Sequence, residues 1–181
     1  MSRSVKETVF EWLREAGYLP KEVPDSAARF NISITVTGLA LDVVQNPGGS
    51  AVLVRSTLLF NRDQLTLFRG MDGRTRDNFL WDVRFTLLNN NEVGTFEIKP
   101  DPENFRAVVQ ARGIFPDALT KDRLIHAILV VHKAITMIVW KLERYAGLSR
   151  SEGLPVVPAS GHEDINKHPA PVDTGDKHES P

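Results

Sequence analysis

The stretch Phe30–Phe60, FNISITVTGLALDVVQNPGGSAVLVRSTLLF, decides the fold. Phe30, Ile32, Ile34 and Val36 alternate with Asn31, Ser33, Thr35 and Thr37. That period of two is the mark of a strand buried on one face. Thr37-Gly38 reads as a turn, Leu39–Gln45 as a second strand and Asn46-Pro47-Gly48-Gly49-Ser50 as a tight reversal. Ala51–Phe60 is a third strand, apolar on both sides around Val52, Leu53 and Val54, which places it centrally. The Gly48-Gly49 pair lacks the Lys-Ser/Thr and the strand-to-helix setting of a phosphate loop, so it reads as a hairpin turn.

Helices flank these strands. Upstream, Ser4 with Glu7 forms a capping-box pattern, and Val5, Val9, Trp12, Leu13 and Ala16 fall on one helical face. Gly17 and Pro20 end that helix. Downstream, Asn61 with Gln64 is a second capping pattern. Gly70 and Gly73 interrupt the helix that follows, and a longer one runs from about Arg74 to Asn89 with Leu80, Val83, Leu87 and Leu88 inward. Thr95–Lys99 and Phe105–Arg112 alternate again and predict two more strands. Thr120 caps a last helix in which Leu124, Ile128, Val131, Ile135, Ile138 and Leu142 recur at steps of three and four. Ile125, Leu129 and Val139 widen that stripe. So little polar surface requires cover on most sides, by the core or by a second copy of the chain. Trp12, Trp81 and Trp140 sit in apolar helical contexts and read as core.

Composition excludes several classes. Lys plus Arg is 22 and Asp plus Glu is 23, so no global basic field points to nucleic acid or anionic lipid. The absence of cysteine removes disulfides, thiolate nucleophiles and Cys-ligated metals, and fits a reducing cytoplasm. The most apolar segment, Leu124–Trp140, contains His126, His132 and Lys133, and reads as a buried helix rather than a membrane span. No signal-peptide pattern opens the chain. From Ser151 the composition turns Pro-rich and acidic, with two basic and six acidic residues, a balance of 2 − 6 = −4. Residues 1–150 carry 20 basic and 17 acidic, a balance of +3. The division is therefore one domain over 1–150 and a 151–181 tail that is disordered when alone. Its single apolar patch is Leu154–Pro158.

Catalytic and metal patterns do not emerge. His126 and His132 are six residues apart, about 240° around a helix axis, and cannot converge on one ion. No nucleophile elbow or positioned carboxylate pair appears. Arg69, Arg74 and Arg76 form a short basic cluster diluted by Asp72 and Asp77, which reads as a solvated loop before an anion contact. No cofactor or metal is expected.

Several segments carry a family likeness: Trp12-Leu13 on the opening helix, the strand Phe30-Asn31-Ile32-Ser33-Ile34, the Asn46-Pro47 turn, Asn78-Phe79-Leu80-Trp81-Asp82, and Phe96-Glu97-Ile98-Lys99-Pro100. Together with the order α-β-β-β-α-β-β-α, over about residues 4–147, they resemble the type III secretion chaperone-like fold of secretion chaperones and YbjN-like regulators. They are most similar to a family of uncharacterised, mainly archaeal proteins with that fold. The resemblance implies a small α+β dimer that holds an extended segment of another protein, with no catalytic residues to carry over.

The expectation is an α+β domain, an antiparallel sheet with helices mainly on one face, acting as a cytoplasmic, non-enzymatic, chaperone-like or regulatory protein-binding module and forming a homodimer. A segment of a partner would pair with an open sheet edge or lie on the outer sheet face at Val44, Leu53 and Val108. The alternative is a small-molecule sensor or an enzyme without a recognisable motif, marked by a pocket near His126, His132 or Arg69 with a perturbed ionisable group. A third reading is a structural subunit of a larger complex, which would leave apolar surface bare in the isolated chain.

Overall fold

The computed structural model describes residues 4–147. Its elements are α1 (Val5–Glu15), β1 (Lys21–Glu22), β2 (Phe30–Val36), β3 (Leu39–Gln45), β4 (Val52–Leu59), α2 (Arg62–Gly70), α3 (Gly73–Leu88), β5 (Val93–Lys99), β6 (Arg106–Ala111) and α4 (Lys121–Tyr145). A one-turn 3-10 helix, Pro116–Ala118, precedes α4. The strands form one six-stranded sheet in the order β1-β2-β3-β4-β6-β5, every neighbour antiparallel. β4 is central, as its two-sided apolar pattern predicts. The two-residue β1 is an addition that the sequence pattern did not signal.

Local signals act where the sequence places them. Ser4–Glu7 and Asn61–Gln64 are complete capping boxes, and Thr120 accepts the Arg123 amide at the start of α4. Thr37 and Gly38 take φ values of 46° and 84°, so the β2–β3 turn has consecutive left-handed residues. That geometry matches the twist of an antiparallel pair.

Register fixes two faces. Ile32 pairs with Val43, Val43 with Val54, and Ser56 with Val109, so Phe30, Ile32, Ile34, Leu41, Val43, Val52, Val54, Ala107 and Val109 share the face turned to the helices. All of them are buried. α4 crosses this face against β3, β4 and β6, α1, α2 and α3 pack against α4, and α3 also touches β5. Leu124, Ile128, Val131, Ile135, Ile138 and Leu142 are each 2% exposed or less. The last helix is thus the core helix of its own chain. At about 1.5–3 kcal/mol per fully buried aliphatic side chain, it is a main source of cohesion.

Candidate functional site: an apolar cleft beside the start of α4

After β6 the chain must cross from sheet to helix layer. Gly113 allows this, because a Cβ there would lie 3.1 Å from both Ala51 Cβ and Leu53 Cδ2. Ile114 then exchanges two backbone hydrogen bonds with Val52, at 2.8 and 2.9 Å. Phe115 precedes Pro116, which disfavours helical backbone at the residue before it. Phe115 is accordingly extended, at φ −74° and ψ 154°, and the residue is 57% exposed. Arg123 Nη1 donates to the Ala118 carbonyl at 3.2 Å and ties the 3-10 turn to α4.

α3 leaves the facing flank of α4 open. The two helices run antiparallel, since Phe79 stacks edge-on to Tyr145 while Asp82 pairs with Lys141. At about 1.5 Å per residue in both helices, the end of α3 at Leu88 reaches only the level of Ile135. Ahead of that level lies a cleft of ≈ 810 Å³. Its floor is Ala111, Ile114, Ala127 and Val130, all buried, and its rim is Glu92, Arg112, Phe115, Asp122, Arg123 and His126. The rim has two arginines and two carboxylates, so with His126 neutral its charge balances at 2 − 2 = 0. His126 Nε2 lies 2.5 Å from Glu92 Oε1, joining α4 to the α3–β5 turn at the cleft mouth. Both side chains are more than half exposed, so solvent screens the pair and its contribution is about 0–1 kcal/mol at most. A larger hollow of ≈ 980 Å³ runs along α1, but it is walled mainly by charged side chains and has no comparable apolar floor.

The outer sheet face differs from the expected docking surface. Val44, Leu53 and Val108 do share it, and Val44 pairs directly with Leu53. Val108, however, pairs with Thr57, four residues along β4 from Leu53, or about 13 Å. Val44 is 1% exposed. Asp25 reaches to 3.7 Å from Arg55, which stands on the outer side of β4 two strands from β2, so the connection before β2 lies over this end of the face. Leu53 and Val108 remain half-buried. The three residues do not form one patch.

The other marked residues serve the chain itself. His132 Nε2 is 2.6 Å from Thr37 Oγ1 and ties α4 to the β2–β3 turn. Arg69 donates to the Pro102 carbonyl at 2.8 Å and pairs with Glu103 at 2.6 Å. Arg76 donates to the carbonyls of Arg69 and Met71, and its guanidinium lies 5.2 Å from the Phe68 ring centre. The arginine cluster therefore does not converge on an anion. No three His, Asp or Glu side chains meet in a metal-binding group among the described residues. Trp81 and Trp140, expected in the core, are 69% and 55% exposed, and Leu88, expected inward, is 68% exposed. The tail reading, including Leu154–Pro158, lies outside the described residues.

Asp72 and Tyr145 titrate away from their ordinary ranges. The Thr75 amide and hydroxyl donate to Asp72 and lower its carboxyl pKa. Burial, then the nearby Asp82 carboxylate, raises that of Tyr145. Tyr145 is about 28 Å along α4 from His126, so it is not part of the cleft.

Of the cleft residues the sequence reading marked only His126 as a pocket neighbour, because the walls come from segments far apart in the chain. One local signal was available: Phe115 ahead of Pro116 is a large ring held extended in a connection, where little can cover it.

A six-stranded antiparallel sheet with one helical layer and a lateral apolar cleft defines a compact α+β scaffold. The chain belongs to the family described as Uncharacterized conserved protein (DUF2299), whose model matches residues 5–142. It is similar to the crystal structure of an uncharacterized protein from Methanothermobacter thermautotrophicus, at 30% identity and a TM-score of 0.70, over 77% of this chain and 96% of that one. YbjN from E. coli matches at 12% identity and a TM-score of 0.47, over 80% of this chain and 94% of that one. No curated protein matches the chain.

Proposed function

We propose that this protein is a binding module that takes an extended, apolar segment of a partner protein into the cleft beside the start of α4. The observation that carries this reading is the cleft's construction, a buried aliphatic floor of Ile114, Ala127 and Val130 under an exposed Phe115 ring. Such a floor gains from burying one or two apolar side chains, at about 25 cal/mol per Å² removed from water. The balanced rim supplies donors at Arg112 and Arg123 and acceptors at Glu92 and Asp122 for a main chain lying across it. A chaperone-like or regulatory role requires no more than this reversible capture.

The test is to pan a display library of linear peptides on the full chain and to measure the enriched sequences against variants. Phe115→Glu and Val130→Glu are expected to weaken binding at least about tenfold, while Val108→Ser on the outer sheet face leaves it unchanged. Peptides that bind all three variants equally well contradict the reading.

A second reading, a small-molecule sensor, is favoured by the cleft's volume, which lies in the range of small-ligand sites, and by its position at His126. It predicts a thermal shift with a metabolite set and no peptide enrichment.

A further inference from the structure

The charges on the cleft rim balance in number but not in engagement. Glu92 is already held: a carboxylate only accepts, so His126 Nε2–H donates to it at 2.5 Å. Arg123 gives one N–H to the Ala118 carbonyl and keeps its other donors. Arg112, Arg123 and Asp122 form no ion pair among the described residues. We infer that the segment received by the cleft carries an acidic side chain two residues from its apolar anchor, and that Arg123 and Arg112 hold that carboxylate. The inference rests on the cleft reading above and names the chemistry of its partner.

The helix sets the spacing. Arg123, Ala127 and Val130 recur at steps of four and three, so they share one face of α4. Ala127 and Val130 are the buried floor, and Arg123 continues the same face toward the helix start. An apolar side chain seated over Ala127 therefore has the Arg123 position about 6 Å away along the axis. In an extended segment, side chains two residues apart point the same way and lie roughly 6.6 Å apart. The two repeats match, so an acid two residues before or after the anchor falls at Arg123. Asp122 and His126, a step of four apart, make the neighbouring row, and Glu92 closes on it. That row takes up the acidic side chains and leaves the row of Arg123 cationic. Arg112 enters from the sheet wall, just past the end of β6, where its amide donates to the Glu92 carbonyl at 3.1 Å. Guanidinium groups with donors to spare, beside an apolar floor, suit a carboxylate, which accepts from both prongs of such a fork. A basic side chain at the same place would meet two arginines and find only Asp122 unengaged, so the rim also selects against it.

Three displayed libraries of linear peptides test the inference on the full chain. Each fixes a Leu among random residues and places Asp, Asn or Lys two positions to either side of it. The Asp library is expected to give the tightest binders, and an enriched Asp peptide should bind about three- to tenfold more tightly than its Asn counterpart. Arg123→Gln should remove most of that advantage while leaving the Kd of the Asn peptide within about twofold, which also shows that the variant is folded. Arg112→Gln should reduce the advantage in the same direction, and raising salt from about 0.05 to 0.5 M should shrink it in the wild-type chain. Equal affinities for the Asp and Asn peptides, both weakened by Val130→Glu, overturn the inference and leave the cleft reading standing. An Asp advantage that survives in both arginine variants overturns it as well. Absence of any binder, or binders indifferent to Val130→Glu, overturns both the inference and the reading beneath it.

Discussion

Asp82 lies 2.7 Å from Lys141 and also neighbours the Tyr145 hydroxyl. The Lys141 side chain is 17% exposed and that of Asp82 32%, so this pair is partly desolvated. The Arg69–Glu103 pair is as short, at 2.6 Å, but its side chains are 43% and 79% exposed. Removing one partner of a desolvated pair strands the other charge, whereas solvent replaces an exposed partner. Asp82→Ala is therefore expected to lower unfolding free energy by about 1–3 kcal/mol, and Glu103→Gln by no more than about 0.5 kcal/mol, both read from urea denaturation. Equal losses would show that burial does not separate the two. Asp72 tests a different link. Its carboxylate accepts from Thr75 and its folded-state pKa is lowered from 3.8. A depressed carboxyl stabilises the fold above its unfolded pKa, and that contribution is lost as pH falls through the folded value. The melting-temperature advantage of wild type over Asp72→Asn should accordingly be present at neutral pH and shrink as pH drops below about 4. An advantage constant down to the acid limit would assign it to the amide's poorer capping instead.

Strand pairing depends on a close approach at the β5–β6 bulge. A Cβ on Gly94 would lie 2.9 Å from the Ala111 carbonyl oxygen and 3.0 Å from Arg112 Cα, both backbone atoms that cannot rotate away. The register shifts between Val93 and Thr95 at this point. Gly94→Ala should cost about 1–3 kcal/mol and raise amide exchange in β5, because the strand has to move off β6. Unchanged exchange would mean that the bulge absorbs a methyl group. At this scale much was legible in the sequence, for a physical reason. Alternation and capping are local: Ser4 with Glu7, Asn61 with Gln64 and the Phe30–Val36 alternation act within a few residues of themselves. α3 was legible as a helix but not in its orientation, because Phe79, Leu80, Val83 and Leu87 compete with Trp81, Phe85 and Leu88 for the core. Only the packing of α4 and β5 settles which stripe is covered. Val44 was misjudged for a related reason. Strand parity gave its face, but the connection that covers it comes from outside the strand.

For the whole molecule, four phenylalanines, two from helices α2 and α3 and two from the connections beside β4 and β6, fix the end of the core opposite the cleft. Phe60 stacks on Phe105 at 3.8 Å, and Phe68 and Phe79 pack edge-on or tilted around them. The cleft opens at the other end, where α3 stops short of α4's first turns. The proposed function is thus placed on the part of the layer that the helices leave uncovered. The central claim is that the cleft receives an extended apolar segment. The most direct measurement is an amide chemical-shift map of the full chain titrated with a peptide enriched on it. The account predicts the largest shifts at Glu92, Gly113, Phe115, Ala127 and Val130. Shifts concentrated at Leu53 and Val108 on the outer sheet face, or along the β5 edge, would contradict it.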